Sequence, residues 1–144
     1  MAKLRHIALS VQDLAIARKF FAEAFDLKEV GKANDRAAHL SDGTISITLL
    51  ALKGRPLGYE KDEPFYGIDH FGMWVDDIDA ARRKVEAAGA TYVMGEDAAA
   101  PDAFYEIKYR DPMGNIFDIT TNGWAGAVKD VVPAEPAPAK AAAE

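Results

Sequence analysis

The amino-acid sequence predicts an α+β fold built from two tandem βαβββ modules. The first observation is an internal repeat, because a shift of 64 positions aligns identical residues, among them His6 with His70, Val11 with Val75, Asp13 with Asp77 and Arg18 with Arg82. The second observation is that both copies begin with strand-like alternation and continue with a helix-like apolar stripe. We therefore interpret the chain as a duplicated module of about 60 residues.

Module one is predicted to run from a strand into a helix and then into three further strands. In residues 3–11 the apolar side chains of Ile7, Leu9 and Val11 alternate with His6, Ala8 and Ser10, as expected of a strand whose successive side chains point to opposite faces. Asp13 is a suitable N-cap for a helix over residues 14–25, whose apolar side chains form one stripe. The Asp-Gly pair at 42–43 predicts a hairpin turn. The remaining strands are predicted at residues 27–30, 36–40 and 44–52.

Module two repeats this plan. A strand is predicted at residues 68–75, followed by a helix over 78–88 that ends at Gly89 as its C′ residue. The segment 111–114 reads Asp-Pro-Met-Gly and predicts a tight turn between two strands. The last three strands are predicted at residues 91–94, 104–110 and 115–121.

These elements predict one domain over residues 1–126. Module one takes residues 1–53 and module two residues 67–126, and the glycines, prolines and mixed charges of residues 54–66 indicate a linker. Residues 127–144 end in a segment composed almost entirely of alanine, proline, glutamate and lysine. We expect this tail to be flexible, because such a segment has too little apolar surface to pack.

Composition restricts the possible functions. The net charge of −6 and the lack of a basic stripe argue against nucleic acid as a partner. No run approaches the ~20 apolar residues of a membrane span, and no apolar signal segment follows the first residues. The chain has no cysteine, which excludes disulfides, thiolate nucleophiles and zinc–thiolate sites. We expect a cytoplasmic protein whose partner is a small-molecule substrate.

Strand alternation places three potential metal ligands on one face of the sheet. If the apolar neighbours of His6 and His70 pack under the helices, both imidazoles point to the opposite, concave face. The same parity places Asp118 on that face, between two apolar residues of the last strand. Two imidazoles and a carboxylate suit a divalent transition metal such as Fe(II), Mn(II), Ni(II) or Zn(II).

Five further residues are candidates for the concave face. Glu106 and Lys108 share parity in the strand before the Asp-Pro turn, and they are either a catalytic acid/base pair or a pair of charges at an exposed strand end. Trp74 and Thr48 have the parity of the histidines and are candidates for substrate binding. His39 is a weaker candidate of the same kind, because alternation does not separate its two possible faces.

Three segments carry a resemblance to a known family: HIALSVQDL at 6–14, HFGMWVDD at 70–77 and YRDPMGNIFD at 109–118. With these motifs the chain resembles the vicinal oxygen chelate superfamily of glyoxalases, bleomycin-resistance proteins and extradiol dioxygenases. The resemblance implies a cupped mixed sheet with helices on its outer face and a divalent metal held by His6, His70 and Asp118. The metal of such proteins chelates neighbouring oxygens of a substrate as a Lewis acid. Single-domain members commonly dimerise, so we expect a homodimer.

The chain departs from the family pattern at three positions. Thr48 stands where lyases and epimerases of the family have glutamate or glutamine, and Asp118 replaces the usual last-strand glutamate. Lys108 stands where extradiol dioxygenases have tyrosine. We therefore expect a metal-dependent small-molecule enzyme, either a glyoxalase-like lyase or isomerase or an extradiol-type dioxygenase. The alternative is a metal-free protein that sequesters a small molecule, as bleomycin-resistance proteins do.

Overall fold

The residues that the structure describes form a single eight-stranded mixed sheet with two helices, which confirms the predicted α+β class and both βαβββ modules. The computed structural model describes residues 1–51, 65–97, 100 and 103–132. Residues 54–64 of the predicted linker (54–66) and residues 133–144 of the predicted flexible tail (127–144) lie outside the described residues. Within those residues, no helix is long and apolar enough to cross a membrane.

Module one follows the predicted order of elements. Its members are β1 (Lys3–Ser10), α1 (Leu14–Phe25), β2 (Lys28–Glu29), β3 (Ala37–Ser41) and β4 (Ser46–Leu50). The helix begins where predicted because the Asp13 carboxylate accepts a hydrogen bond of 2.9 Å from the Ile16 amide. It ends at Asp26, which adopts the left-handed conformation.

Module two has the same order of elements. Its members are β5 (Gly67–Trp74), α2 (Ile78–Ala87), β6 (Thr91–Met94), β7 (Ile107–Arg110) and β8 (Ile116–Thr120). Strand β7 begins three residues later than predicted, because its pairing with β6 ends at Met94 and Lys108 after a register shift. Glu106 therefore precedes the strand, while Lys108 lies within it.

The two modules join through their first strands. The sheet order is β2-β3-β4-β1-β5-β8-β7-β6, so β1 and β5 lie side by side at its centre and run antiparallel. Each pairs on its other side with the last strand of its own module, and both of those pairings are parallel. This topology brings His6 and His70 to neighbouring central strands.

The two modules pack differently under their helices. Module two has a cluster of buried apolar and aromatic residues, which α2 covers: Val75, Tyr105, Ile107, Tyr109, Phe117 and Ile119. In module one the buried apolar residues among those described are smaller and none is aromatic: Ala8, Ala38, Leu40 and Leu49. Helix α1 leaves Phe20 and Phe25 more than half exposed.

Residues that follow the last strand return to the sheet. The Val128 amide donates a hydrogen bond of 3.1 Å to the Thr44 carbonyl, and Arg5 donates to the carbonyls of Val128 and Lys129 at 2.5 and 3.0 Å. The Lys129 ammonium donates to the Val75 carbonyl at 2.9 Å. These contacts fix the segment that carries Trp124 against both modules.

Candidate metal centre

The structure brings His6, His70 and Asp118 together on the concave face. One ligand atom of each lies within 4.8 Å of the others, and all three side chains are almost completely buried. They come from β1, β5 and β8, three consecutive strands of the sheet. Gly72 permits this approach, because a Cβ there would lie 2.4 Å from the Trp124 ring and 2.9 Å from the His6 Cβ.

The His70 ring is oriented by its neighbour in the chain. Asp69 Oδ1 lies 2.6 Å from His70 Nδ1, and this contact leaves His70 Nε2 facing Asp118 Oδ2 at 3.2 Å. A carboxylate that holds one ring nitrogen while the other faces the site is the usual arrangement behind a histidine ligand. Sequence reasoning missed Asp69, because alternation places adjacent residues on opposite faces of a strand.

His6 is the least satisfied member of the site. Among the described residues, His6 Nδ1 and Asp69 Oδ2 are the buried side-chain atoms without a hydrogen-bond partner. Burial lowers the pKa of His6 to about 3, so its imidazole is neutral at physiological pH. Its ring stacks on Trp124 with centroids 4.9 Å apart. A neutral imidazole with a free nitrogen is the state in which histidine binds metal.

Lys108 reaches into the middle of this group. Its Nζ lies 2.8 and 2.7 Å from the two carboxylate oxygens of Asp118 and 3.5 Å from His70 Nε2. Burial and the Glu106 charge raise the pKa of Asp118 to about 6, while His70 and Lys108 oppose this rise. The ammonium therefore neutralises a carboxylate that has no exposure to solvent.

Glu106 extends the network away from the three ligands. Its Oε2 lies 3.3 Å from Lys108 Nζ, and its Oε1 accepts a hydrogen bond of 2.5 Å from Trp124 Nε1. Burial raises the pKa of Glu106, but Lys108, Trp124 and the two histidines outweigh burial, so the pKa is lowered. Trp124 was not predicted as a site residue because it follows the last strand, where alternation gives no guidance.

The predicted substrate-binding residues lie at two different places. His39 Nδ1 is 2.9 Å from Thr48 Oγ1, and His39 lines a pocket of about 440 Å³. The Trp124 ring lines this pocket and stacks on His6, so it stands between the pocket and the histidine. Trp74 instead donates a hydrogen bond of 2.7 Å to the Thr121 carbonyl and does not line that pocket.

The residues present fit a divalent transition metal. They offer two imidazoles and one carboxylate at short mutual distance, and one imidazole nitrogen has no other partner. The carboxylate of this set is paired with the Lys108 ammonium, which also lies 3.3 Å from Glu106 Oε2.

Solved structures with the same fold support this interpretation of the architecture. A hypothetical protein from Bacillus halodurans C-125 is 17% identical with a TM-score of 0.63, over 92% of this chain and 99% of that one. A variant of methylmalonyl-CoA epimerase from Streptomyces coelicolor, in complex with 2-nitronate-propionyl-CoA, is 14% identical with a TM-score of 0.62, over 81% and 94% of the two chains.

A third similar structure contains a metal. The Mn(II)-bound glyoxalase from Novosphingobium aromaticivorans is 23% identical with a TM-score of 0.63; the match covers 92% of this chain but only 44% of that protein. No curated protein matches the chain. The model of the Glyoxalase/Bleomycin resistance protein/Dioxygenase superfamily matches residues 3–119, which span both modules and all three candidate ligands. The chain therefore belongs to the Glyoxalase/Bleomycin resistance protein/Dioxygenase superfamily.

Proposed function

We propose that this protein is a metal-dependent enzyme that acts on a small molecule with two neighbouring oxygens. The observation that carries the proposal is the approach of His6, His70 and Asp118 to within 4.8 Å on the concave face. The metal is Fe(II), Mn(II), Ni(II) or Zn(II), which nitrogen and carboxylate ligands accommodate. When bound, it supplies Lewis-acid stabilisation of negative charge on a substrate oxygen.

The chain's own residues would hold and move a proton beside that oxygen. Glu106 and Lys108 are the catalytic pair of the proposal, since they lie 3.3 Å apart and Lys108 contacts two of the candidate ligands. A proton relay next to a metal suits a glyoxalase-like lyase or isomerase. The substrate body would occupy the space beside His39 and Thr48, with Trp74 as a more distant wall.

An extradiol-type dioxygenase is the second enzyme class of the proposal, because it also requires two histidines and one carboxylate. The two classes differ in the metal that they need. With Zn(II) or Ni(II), a lyase or isomerase should exchange a proton next to a substrate carbonyl with deuterium from the solvent, which NMR detects. With Fe(II) and a catechol, a dioxygenase should consume oxygen, which an electrode detects.

The site assignment is tested by removing each ligand. His6→Ala, His70→Ala and Asp118→Ala should each lower the bound metal, as measured by elemental analysis after purification without a tag. Thr48→Ala is the control on the same face and should bind metal like the wild type. Unchanged metal content in all three ligand variants would refute the assignment.

A metal-free binding protein is the alternative that one observation favours. The Lys108 ammonium already neutralises Asp118, so the buried carboxylate has a counterion without any metal. Such a protein should bind its ligand equally well in EDTA and in the His6→Ala/His70→Ala double variant. A ligand found by thermal-shift screening distinguishes the alternatives, since the enzyme should lose affinity for it under both conditions.

We also propose a cytoplasmic homodimer. The lack of cysteine suits a reducing compartment. Exposed apolar side chains on α1, including Ile16, Phe20 and Phe25, form a surface that a second copy could cover. Phe20→Ser/Phe25→Ser should sediment as a monomer, whereas Arg83→Ser on the exposed side of α2 should sediment as the wild type does. A wild-type protein that is monomeric at micromolar concentration would contradict the dimer.

A further inference from the structure

The Lys108 side chain makes contacts that a bound metal would also make. Its Nζ lies at 2.8 and 2.7 Å from both oxygens of Asp118, and His70 Nε2 is 3.5 Å away. The ammonium thus touches two of the three candidate ligands from one point. Those contacts engage both oxygens of the carboxylate, and a metal would need at least one of them as a ligand atom.

The ammonium and a metal cannot share this position. Asp118 is fully buried and Lys108 is largely buried, so little water screens their charges. A divalent cation bound to Asp118 and His70 would be next to a positive charge and would repel it. Either the Lys108 ammonium or a metal can neutralise the Asp118 carboxylate, and the other cation would lack a counterion there.

Glu106 offers the ammonium a second position. Its Oε2 is 3.3 Å from Lys108 Nζ, so the ammonium can leave Asp118 with only a small change of side-chain torsions. The Trp124 indole holds Oε1 at 2.5 Å, which fixes the carboxylate with its other oxygen towards Lys108. A lysine side chain has four rotatable bonds and a freely rotating ammonium, which permits such a shift.

We propose that Lys108 is a built-in competitor of the metal, and that metal binding transfers its ammonium from Asp118 to Glu106. The proposal rests on the proposed function, because it requires that His6, His70 and Asp118 bind a metal. Beside its proposed catalytic part, Glu106 would receive the displaced ammonium when metal binds. In the metal-free protein Asp118 is then paired with Lys108, and the apparent metal affinity is lower than His6, His70 and Asp118 alone would give.

The decisive experiment is a calorimetric titration of the metal-free protein with Zn(II) and, separately, with Mn(II). Lys108→Met and Lys108→Gln both remove the competing charge, and either should bind metal at least about tenfold more tightly than the wild type. Lys108→Gln retains a hydrogen-bond donor for Asp118 and so serves if Lys108→Met does not fold. Lys108→Arg retains the charge and should not gain affinity.

Two further variants isolate the roles of Glu106 and of net charge. Glu106→Gln removes the second position for the ammonium and should weaken metal binding by about tenfold or more. Lys19→Met removes one positive charge from the exposed face of α1 and should leave the affinity unchanged. Equal affinity of the wild type, Lys108→Met and Lys108→Gln would overturn the proposal.

A measurement on the wild-type protein avoids any question of folding. Metal titration followed by lysine ¹³Cε and ¹⁵Nζ resonances should shift the signals of Lys108 in step with binding, while those of Lys19 stay in place. A Lys108 signal that does not respond to a saturating metal would refute the transfer.

The outcomes separate this inference from the function on which it rests. If metal binding requires His6 but its affinity does not change when Lys108 is replaced, the competition by Lys108 is wrong and the metal site stands. If Lys108→Met binds metal as tightly with His6→Ala/His70→Ala as without them, the ligand assignment is wrong. If no variant binds metal, both proposals are wrong.

Discussion

The two modules share one plan but place different chemistry at equivalent positions. In module one, Thr48 pairs with Ala8 on the first strand and with His39 on the third. Module two repeats this register, since Asp118 pairs with Gly72 and with Lys108. The repeat thus relates Thr48 to Asp118 and His39 to Lys108.

The equivalent pairs differ in charge. His39 Nδ1 and Thr48 Oγ1 are 2.9 Å apart in a neutral hydrogen bond, whereas Lys108 and Asp118 form a buried ion pair. Module one contributes one imidazole to the candidate metal centre, and its His39 lines the neighbouring pocket. Module two contributes the second imidazole and, among the residues that the structure describes, the charged side chains beside it, Asp118, Lys108 and Glu106.

The largest difference between the pairs should appear in stability. Lys108→Met leaves Asp118 buried without its counterion and should lower the free energy of unfolding by about 3–5 kcal/mol in metal-free protein. Thr48→Val in module one breaks only a neutral hydrogen bond and should cost about 1 kcal/mol. Urea unfolding of both variants measures the contrast.

A double variant identifies the cause of that loss. Lys108→Met/Asp118→Asn removes both charges together and should be more stable than Lys108→Met alone. A double variant that is less stable than either single variant would show that packing, and not the unpaired carboxylate, controls the stability of this pair.

Substitutions under the two helices should differ almost as much in their effect on the free energy of unfolding. Ile107 is fully buried in the cluster below α2, so Ile107→Ala should lower the free energy of unfolding by about 2–5 kcal/mol. Ile16 is 69% exposed on α1, and Ile16→Ala should change the unfolding of the monomer by less than about 0.5 kcal/mol. Thermal or urea unfolding at low protein concentration tests the pair, and similar losses would contradict the difference in packing.

The sequence predicted the faces of the sheet better than the contacts made on them. Alternation alone placed His6, His70 and Asp118 on the concave face, because the period of two is a property of every strand. It also gave Glu106 and Lys108 the same facing. The ion pair between Lys108 and Asp118 depends on the pairing register that places these residues opposite each other on β7 and β8, and alternation within one strand does not contain that register.

Helix limits show where local chemistry is sufficient. The limits of α1 were predicted because Asp13 caps its first turn, and Gly89 closes α2 with a φ of 96°. The start of β7 was predicted too early because it is set by where the pairing with β6 stops, which is a tertiary contact. Trp124 was missed for a related reason, since a segment beyond the sheet brings it back to His6.

A substitution in module one can make the two modules more alike. Thr48→Glu places a carboxylate at the position equivalent to Asp118 and should raise metal affinity by about tenfold, because added carboxylate charge strengthens cation binding. Thr48→Gln has the same size without the charge and should give a smaller gain. Calorimetric titration measures both, and a loss of affinity in Thr48→Glu alone would indicate that module one cannot approach the metal.

The smallest expected effect concerns a charge that only module two carries. Asp76 corresponds by the repeat to Gln12 and contacts the amino group of Met1 and the Lys129 ammonium, whose Nζ is 2.7 Å from Oδ1. Lys129 and the Met1 amino group lower the pKa of Asp76 to about 2.

This lowered pKa has a defined consequence for stability. The folded protein binds a proton at Asp76 less readily than the unfolded chain does. The contribution of the ionised Asp76 to the free energy of unfolding is therefore complete above about pH 4 and is lost as the pH falls towards about 2. Asp76→Asn should therefore show a shallower fall in stability over this range than the wild type. Because Asp76 is exposed, the difference should be small and should shrink further in 1 M salt, a concentration at which screening acts over about 3 Å. Urea unfolding at several pH values tests this, and parallel pH profiles for the two proteins would show that the ion pairs of Asp76 do not contribute to folding.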